Sequence, residues 1–279
     1  MVKDTSKYLI INDHILPESD FNESLVTGDT LYEVIRIVDG IPLFLDDHLS
    51  RLVSSARLSA NLIWLERKTI ELKIYQLLRL NQMEAGNIEI SFTFKKRPLA
   101  QIFMARIIPH KYPEREDYSQ GVNVSFYSYK REKPNAKIKN LSLREITNQM
   151  IKNEGVYEVV LVDEASNILE GSRSNLFFLK DKTIYTAPAK DVLCGITRKY
   201  VVEICKMAHI PVVEQKINMS ELSGFEAMFI SGTSPGILPI RKAGQFHFRT
   251  DGKLLRGLMK EYQAFIINYI NEKKQSLKL

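Results

Sequence analysis

The chain has 279 residues, enough to bury a large core and, at about 150 residues per domain, to form two domains. Its 44% hydrophobic and 26% charged residues are ordinary for a soluble globular protein, and no apolar run of about 18 residues points to a membrane span. The net charge of +6 is not gathered into a patch: the densest basic run, YKREKPNAKIK (129–139), is broken by Glu132 and Pro134. That argues for a solvated loop and against a nucleic-acid surface, leaving attraction of small anions as the use of the charge.

The start, MVKDTSKYLI, is charged and lacks a long apolar segment, so a secretory signal is not expected. The two cysteines, Cys194 and Cys205, form neither a CxxC pair nor half of a metal quartet, which fits a reducing cytoplasm and packing roles. No nucleotide-binding glycine motif and no HExxH is present, and no metal is expected.

In chain order, YLIINDHIL (8–16) reads as two short strands around an Asn-Asp turn, and LYEVIRIVDGIPLFL (31–45) as a hairpin turning at Asp39-Gly40. From Asp46 the spacing of Leu49, Leu52, Val53, Ala56 and Ala60 is helical, and a second helix is expected near Lys68 to Asn81. NIEISFTF (87–94) and AQIFMARII (100–108) read as paired strands. PHKYPEREDYSQG (109–121) is the best linker, giving an expected small N-terminal α/β domain over 1–115, a linker at 116–120 and a larger C-terminal domain over 121–279. Beyond it come a strand near 122–129, a helix from about Leu143 to Asn153 stopped by Gly155, and strands EVVLVD (158–163) and SNLFFLK (174–180). A helix near Thr197 to His209, a strand AMFIS (227–231) and a last helix from about Gly252 to Glu272 complete the reading. Strands mixed with helices indicate an α/β or α+β protein.

Five places are candidates for chemistry. Lys139 precedes Ser142 and Glu145, an S-x-x-E capping pattern that starts a helix just after the lysine. The positive end of a helix dipole favours the neutral amine, the form that attacks a carbonyl. Glu170 ends an apolar strand before a turn of small residues, where a carboxylate can hold a pyridine nitrogen protonated. Gly195 precedes a helix that begins near Thr197, whose free N–H groups and threonine hydroxyl suit a phosphate. Gly232, Thr233 and Ser234 offer hydroxyls on a glycine-flanked loop, and Arg51 in HLSRL (48–52) sits at the edge of a buried helical stripe. Each alone also fits a plainer reading: a surface lysine, a turn-capping glutamate, a threonine cap, a polar turn and a solvent-facing arginine.

Their order and spacing resemble the class IV (fold type IV) enzymes that use pyridoxal 5′-phosphate (PLP), a family of branched-chain aminotransferases, D-amino-acid aminotransferases and aminodeoxychorismate lyases. The resemblance runs from GDTLYEV (28–34) through HLSRL, IKNLS (138–142), EGSRSNLF (170–177) and GITR (195–198) to the GTS loop (232–234). It implies a two-domain fold whose larger domain has a barrel-like sheet, with the cofactor between the domains of a homodimer. It makes Lys139 the Schiff-base lysine and Glu170 the partner of the pyridine nitrogen. Arg51, Ile196, Thr197, Thr233 and Ser234 become the phosphate contacts, and Tyr32 a substrate-side aromatic.

This chain departs from the family in two places. Arg144 stands where branched-chain enzymes often carry tyrosine, and FKKRP replaces the arginine and histidine that trap a carboxylate in the D-amino-acid enzymes. Arg97 and Arg173 are the candidate substitutes. The resemblance thus implies amino-group transfer between an amino acid, branched-chain or D, and a 2-oxo acid in the cytoplasm. The alternative is an aminodeoxychorismate lyase releasing pyruvate and 4-aminobenzoate, and a further one is a PLP- or anion-binding protein without turnover.

Overall fold

A computed structural model describes residues 6–22, 27–96, 99–109 and 112–277. The chain divides into two compact units: Met1–Lys111 with Ala136–Lys139 and Asn268–Leu279, and Tyr112–Asn135 with Asn140–Ile267.

The first unit is built on a six-stranded antiparallel sheet. Its strands are β1 (Tyr8–Ile11), β2 (His14–Pro17), β3 (Asp29–Val38), β4 (Ile41–Pro42), β5 (Gly86–Lys96) and β6 (Leu99–Ile108), in the order β2-β1-β6-β5-β3-β4. Asn12 and Asp39 take left-handed φ values of 52° and 51° at the two expected turns, conformations that Asn and Asp tolerate. Helices α1 (Leu45–Leu58) and α2 (Arg67–Asn81) pack on this sheet. Leu31, Ile35 and Ile37 of β3, Ile88, Ile90 and Phe92 of β5, and Leu49, Leu52, Ile74 and Leu77 of the helices form one core. The α1 stripe is narrower than its spacing predicts, because Val53 is exposed and Ala60 lies past the helix end with φ 56°.

The alternation of a strand sends the other residues of β3 and β5 to the opposite face. There the register sets Thr30 beside Thr93, Tyr32 beside Ser91, Val34 beside Glu89 and Arg36 beside Asn87. Thr30, Tyr32, Asn87, Glu89, Ser91 and Thr93 are all buried, so this second face is polar and yet withdrawn from water.

In the second unit, α3 (Arg115–Gln120) occupies the segment expected to be a linker. A ten-stranded mixed sheet follows: β7 (Val122–Ser128), β8 (Glu158–Val162), β9 (Asn167–Gly171), β10 (Asn175–Lys180), β11 (Thr183–Thr186), β12 (Val212–Glu214), β13 (Ile217–Asn218), β14 (Ala227–Gly232), β15 (Gly236–Ala243) and β16 (Phe246–His247). The path is β12-β11-β10-β14-β15-β7-β8-β9-β13, with β16 on β15. The pairs β15–β7, β7–β8 and β11–β12 are parallel and the rest antiparallel. β8, β10 and β14 are buried almost throughout, as strands covered on both faces must be.

Helices α4 (Leu141–Glu154) and α5 (Ile196–Met207) accompany the sheet, and α6 (Lys253–Leu277) belongs to this unit as far as Ile267 and to the first unit from Asn268. Gly155 ends α4 at φ 63°, a left-handed turn that costs glycine nothing. The mixed α/β fold with a small sheet unit and a large curled sheet is the class expected from the sequence. Among the described residues no helix is long and apolar enough to cross a membrane.

Phe92 tests the first core directly. It is fully buried between Phe103 and Trp64, the chain's one tryptophan, at ring distances of 5.2 and 4.8 Å. Phe92→Ala is expected to cost about 3–5 kcal/mol, read by denaturant unfolding followed through Trp64 emission. A cost near zero would contradict this packing.

Candidate active site

Lys139 is fixed through its backbone before its side chain does anything. Its N–H donates to Thr30 O at 2.8 Å, Tyr32 N donates to Lys137 O at 3.2 Å, and Ile138 forms a bridge with Leu31. The end of the basic run, expected to be a solvated loop, is thus an added edge partner of β3. The Lys139 Nζ donates to Glu89 Oε1 at 2.9 Å, and Glu89 is buried. Tyr32 is buried on the same sheet face, with the Lys137 ammonium 4.6 Å from its ring centroid.

The helix that follows is capped differently from expectation. Asn140, not Ser142, is the N-cap, its Oδ1 accepting from Leu143 N at 2.9 Å, while Ser142 lies inside the first turn. Both residue types cap well, and the one whose backbone stays extended wins. Lys139 therefore stands one residue before the cap.

Arg51 turns inward. Its guanidinium donates in parallel to both oxygens of Glu33, Nε to Oε1 at 2.8 Å and Nη2 to Oε2 at 2.5 Å, and His48 Nδ1 meets Glu33 Oε2 at 2.8 Å. Glu33 is on the helix-facing side of β3 and fully buried. His48 and Arg51 are three apart on α1 and so reach the same carboxylate. Burial opposes ionisation of Glu33, but the charge and hydrogen bonds of Arg51, with help from His48, hold it at about 2. Burial pushes His48 below the usual histidine value against the pull of Glu33.

In the second unit, Glu170 sits buried near the end of β9. Arg131 Nε lies 2.8 Å from its Oε1, close enough for an ion pair though off the hydrogen-bond axis. Leu193 N donates to its Oε2 at 3.1 Å. The same segment is held by Asn175 Nδ2 donating to Leu193 O at 2.8 Å and Asn135 Nδ2 donating to Ala189 O at 2.7 Å. Gly195 is the N-cap of α5, and a Cβ there would collide with Asn175 Oδ1. With no side-chain cap on α5, the N–H groups of Ile196 and Thr197 have no acceptor within the helix.

The turn after Glu170 is organised by a second buried carboxylate. Glu158 Oε1 accepts from Val159 N at 2.9 Å and Ser172 Oγ at 2.7 Å; its Oε2 accepts from Arg173 N at 3.2 Å and Ser174 Oγ at 2.9 Å. The Arg173 guanidinium bonds Asn148 Oδ1 on α4. Thr233 and Ser234 lie in the turn between β14 and β15, next to the Glu170 turn: a Cβ on Gly232 would stand 3.7 Å from Arg173 O. Ser231, just before that turn, has a buried Oγ with no hydrogen-bond partner among the described residues. Arg97 lies outside the described residues.

Within the first unit the structure thus joins Lys139 to Glu89, and Arg51 to Glu33 and His48. Within the second it ties Glu170 to the start of α5 and sets Arg173 beside the Thr233 turn. Glu33, Glu89, Arg131 and Glu158 were not singled out by the sequence, because nothing local marks a carboxylate or arginine whose partner is far along the chain.

The amino-transferase class IV family model matches residues 30–243, and the chain belongs to that family. It is therefore an enzyme of a family that transfers amino groups. Among curated relatives, a D-alanine aminotransferase of Bacillus licheniformis is 27% identical over 223 residues, covering 76% of this chain and 78% of its own. A putative branched-chain-amino-acid aminotransferase of Methanocaldococcus jannaschii is 27% identical over 264 residues, covering 88% and 89%. Among solved structures, a T.th. branched-chain amino acid aminotransferase complexed with N-(5′-phosphopyridoxyl)-L-glutamate shares the fold with a TM-score of 0.83, at 20% identity over 97% of each chain. A putative 4-amino-4-deoxychorismate lyase of Legionella pneumophila does so with a TM-score of 0.77, at 19% identity over 86% of this chain and 92% of its own.

The Glu33 cluster generates a stability prediction. His48 and Glu33 both have folded-state values below their ordinary ones, so each stabilises the fold above its unfolded value and loses that contribution as pH falls through its folded value. Unfolding temperature is expected to hold above pH 6.5 and to fall below it, with a second decline between 4.5 and about 2. Glu33→Gln is expected to cost about 3–5 kcal/mol at neutral pH and to shrink the second decline, the remainder of which belongs to Asp13, Asp46, Asp163, Glu214 and Asp251, whose folded-state values are also lowered. Scanning calorimetry across pH reads both, and an unchanged second decline would contradict the assignment.

Proposed function

We propose that the protein transfers an amino group from an amino acid, branched-chain or D, to a 2-oxo acid. In this reading PLP is held covalently by Lys139, and the protein works as a cytoplasmic homodimer. The observation that carries the reading is the pairing, in one unit, of a buried carboxylate with an uncapped helix N-terminus. Glu170 and the first N–H groups of α5 are tied together through Leu193, and the Ser231 hydroxyl, without a partner among the described residues, precedes the Thr233 turn. A ligand with a basic ring nitrogen and a phosphate matches that donor set.

When bound, PLP supplies an electron-withdrawing ring that stabilises negative charge at the substrate Cα. The chain's own residues do the rest. Lys139 would anchor the cofactor and, as a free amine, would move the proton at the substrate Cα. Glu170, with Arg131 2.8 Å away, would hold the proton on the ring nitrogen. Ile196 and Thr197 through their N–H groups, the Thr233 and Ser234 hydroxyls, and Arg51 bind the phosphate. Tyr32 lies on the substrate side, and Arg97 and Arg173 are the cations proposed to meet the substrate carboxylate.

Lys139→Ala is expected to abolish turnover. Glu170→Gln should keep the cofactor and lose roughly 10²–10⁴-fold in rate, since a neutral amide cannot hold the ring proton. A Gln variant within a few-fold of the parent would remove Glu170 from this role. The deciding experiment mixes the yellow holoenzyme with a panel of L- and D-amino acids and follows conversion to the pyridoxamine form. Conversion by at least one amino acid supports the reading. No conversion, together with release of pyruvate and 4-aminobenzoate from aminodeoxychorismate, overturns it in favour of a lyase.

A further inference from the structure

We infer that Glu89, with Ser91 beside it, is a substrate-side subsite for a second cationic group, so that the preferred amino donors are diamino acids. The inference rests on the amino-group transfer reading above and narrows its substrate class.

Four observations place the subsite. Glu89 and Ser91 are two apart on β5 and face the same side of the sheet as Tyr32. That face is buried, with Glu89 8% exposed and Ser91 1% exposed. Lys139 Nζ donates to Glu89 Oε1 at 2.9 Å, and among the described residues Oε2 accepts no hydrogen bond. Ser91 Oγ is buried and has no partner among the described residues.

The neighbouring cation does not fill the gap. Arg106 stands directly across from Glu89 on β6, but its Nη2 donates to Glu18 at 2.7 Å and its guanidinium lies 3.9 Å from the Phe21 ring centroid. Among the described residues, Lys139 is the one cation that donates to Glu89. Lys139 must give up that charge to do the proposed chemistry, and a buried carboxylate left without a counter-ion is costly. A substrate ammonium is the group that restores the balance. Among the described residues Glu89 Oε2 and Ser91 Oγ are acceptors on that face with no donor, and an ammonium has three donors to share between them. A neutral aliphatic side chain leaves both unsatisfied, so the pocket discriminates by the absence of a bond as well as by its presence.

The test compares ornithine with norvaline, which has the same carbon skeleton without the terminal amine. Wild-type enzyme is expected to favour ornithine in kcat/KM by about 10–100-fold, the scale of one hydrogen bond to a charged group. In Glu89→Gln the ornithine-to-norvaline ratio of kcat/KM is expected to fall to about 1, whatever the variant's absolute rate. A second readout needs no turnover: in calorimetric titrations of the protein purified with PLP, 5-aminopentanoate should bind at least about 10-fold tighter than pentanoate, and equally in Glu89→Gln. Equal use of ornithine and norvaline by wild type, or a preference that survives Glu89→Gln, overturns the inference. So does equal binding of the two acids. If no amino acid is converted at all, the transfer reading fails instead, and the titration alone decides the subsite. If Glu89→Gln does not fold, Ser91→Ala and the wild-type comparisons carry the same decision, with a smaller loss of preference expected for Ser91→Ala.

Discussion

A carboxylate taken out of water must be met by donors, and four glutamates here are buried where the chemistry is proposed to occur: Glu33, Glu89, Glu158 and Glu170. Each is answered by a different part of the chain, and each answer fixes something of use. Glu33 holds the Arg51 fork and His48, Glu89 meets Lys139, Glu158 gathers the turn 172–174, and Glu170 pins the segment leading into α5. Removing Glu33 or Glu158 would leave buried donors unpaired, at a larger cost than an exposed pair carries. Within each unit these residues are thus held by the requirement that buried charge be compensated, and each sheet supplies the fixed positions from which its acids project.

The alternation of β3 and β5 explains why one small sheet can do two jobs. Leu31, Ile35, Ile88 and Ile90 turn toward α1 and α2 and make the core, while Tyr32, Glu89, Ser91 and Thr93 turn the other way. Glu33 is the exception on the core side, and it is tolerated because His48 and Arg51 arrive from one face of α1. A shift of one residue in the β3–β5 register would send the polar set into the core, so the function depends on the register as strongly as the stability does.

What could be read from the sequence was what is local. The Asp39-Gly40 turn, the α2 periodicity and the Gly155 stop are decided within a few residues, and the structure has them. The short strands β11, β12 and β13 carry too few residues to show alternation. β15 was hidden by Pro239, which lies just before the ladder with β7 begins at the Ile240–Val122 pair. Asn140 and Ser142 are equally good caps by residue type, and only backbone conformation separates them. The candidate site residues were found through the family motifs; their partners were not. Glu89 is 50 residues from Lys139 and Arg131 is 39 from Glu170, and no spacing rule spans such distances. Arg51 looked like an edge residue because its position on α1 shows only that it borders the buried stripe, while its carboxylate partner sits on a separate strand.

The account turns on Lys139 as the residue that holds the cofactor. Borohydride reduction of the protein loaded with PLP, followed by peptide mapping, fixes the cofactor to whichever lysine bears it. The account predicts one modified peptide, containing Lys139 and lost in Lys139→Ala. Modification at any of the chain's other lysines, Lys137 being nearest in sequence, with Lys139 unlabelled would contradict it.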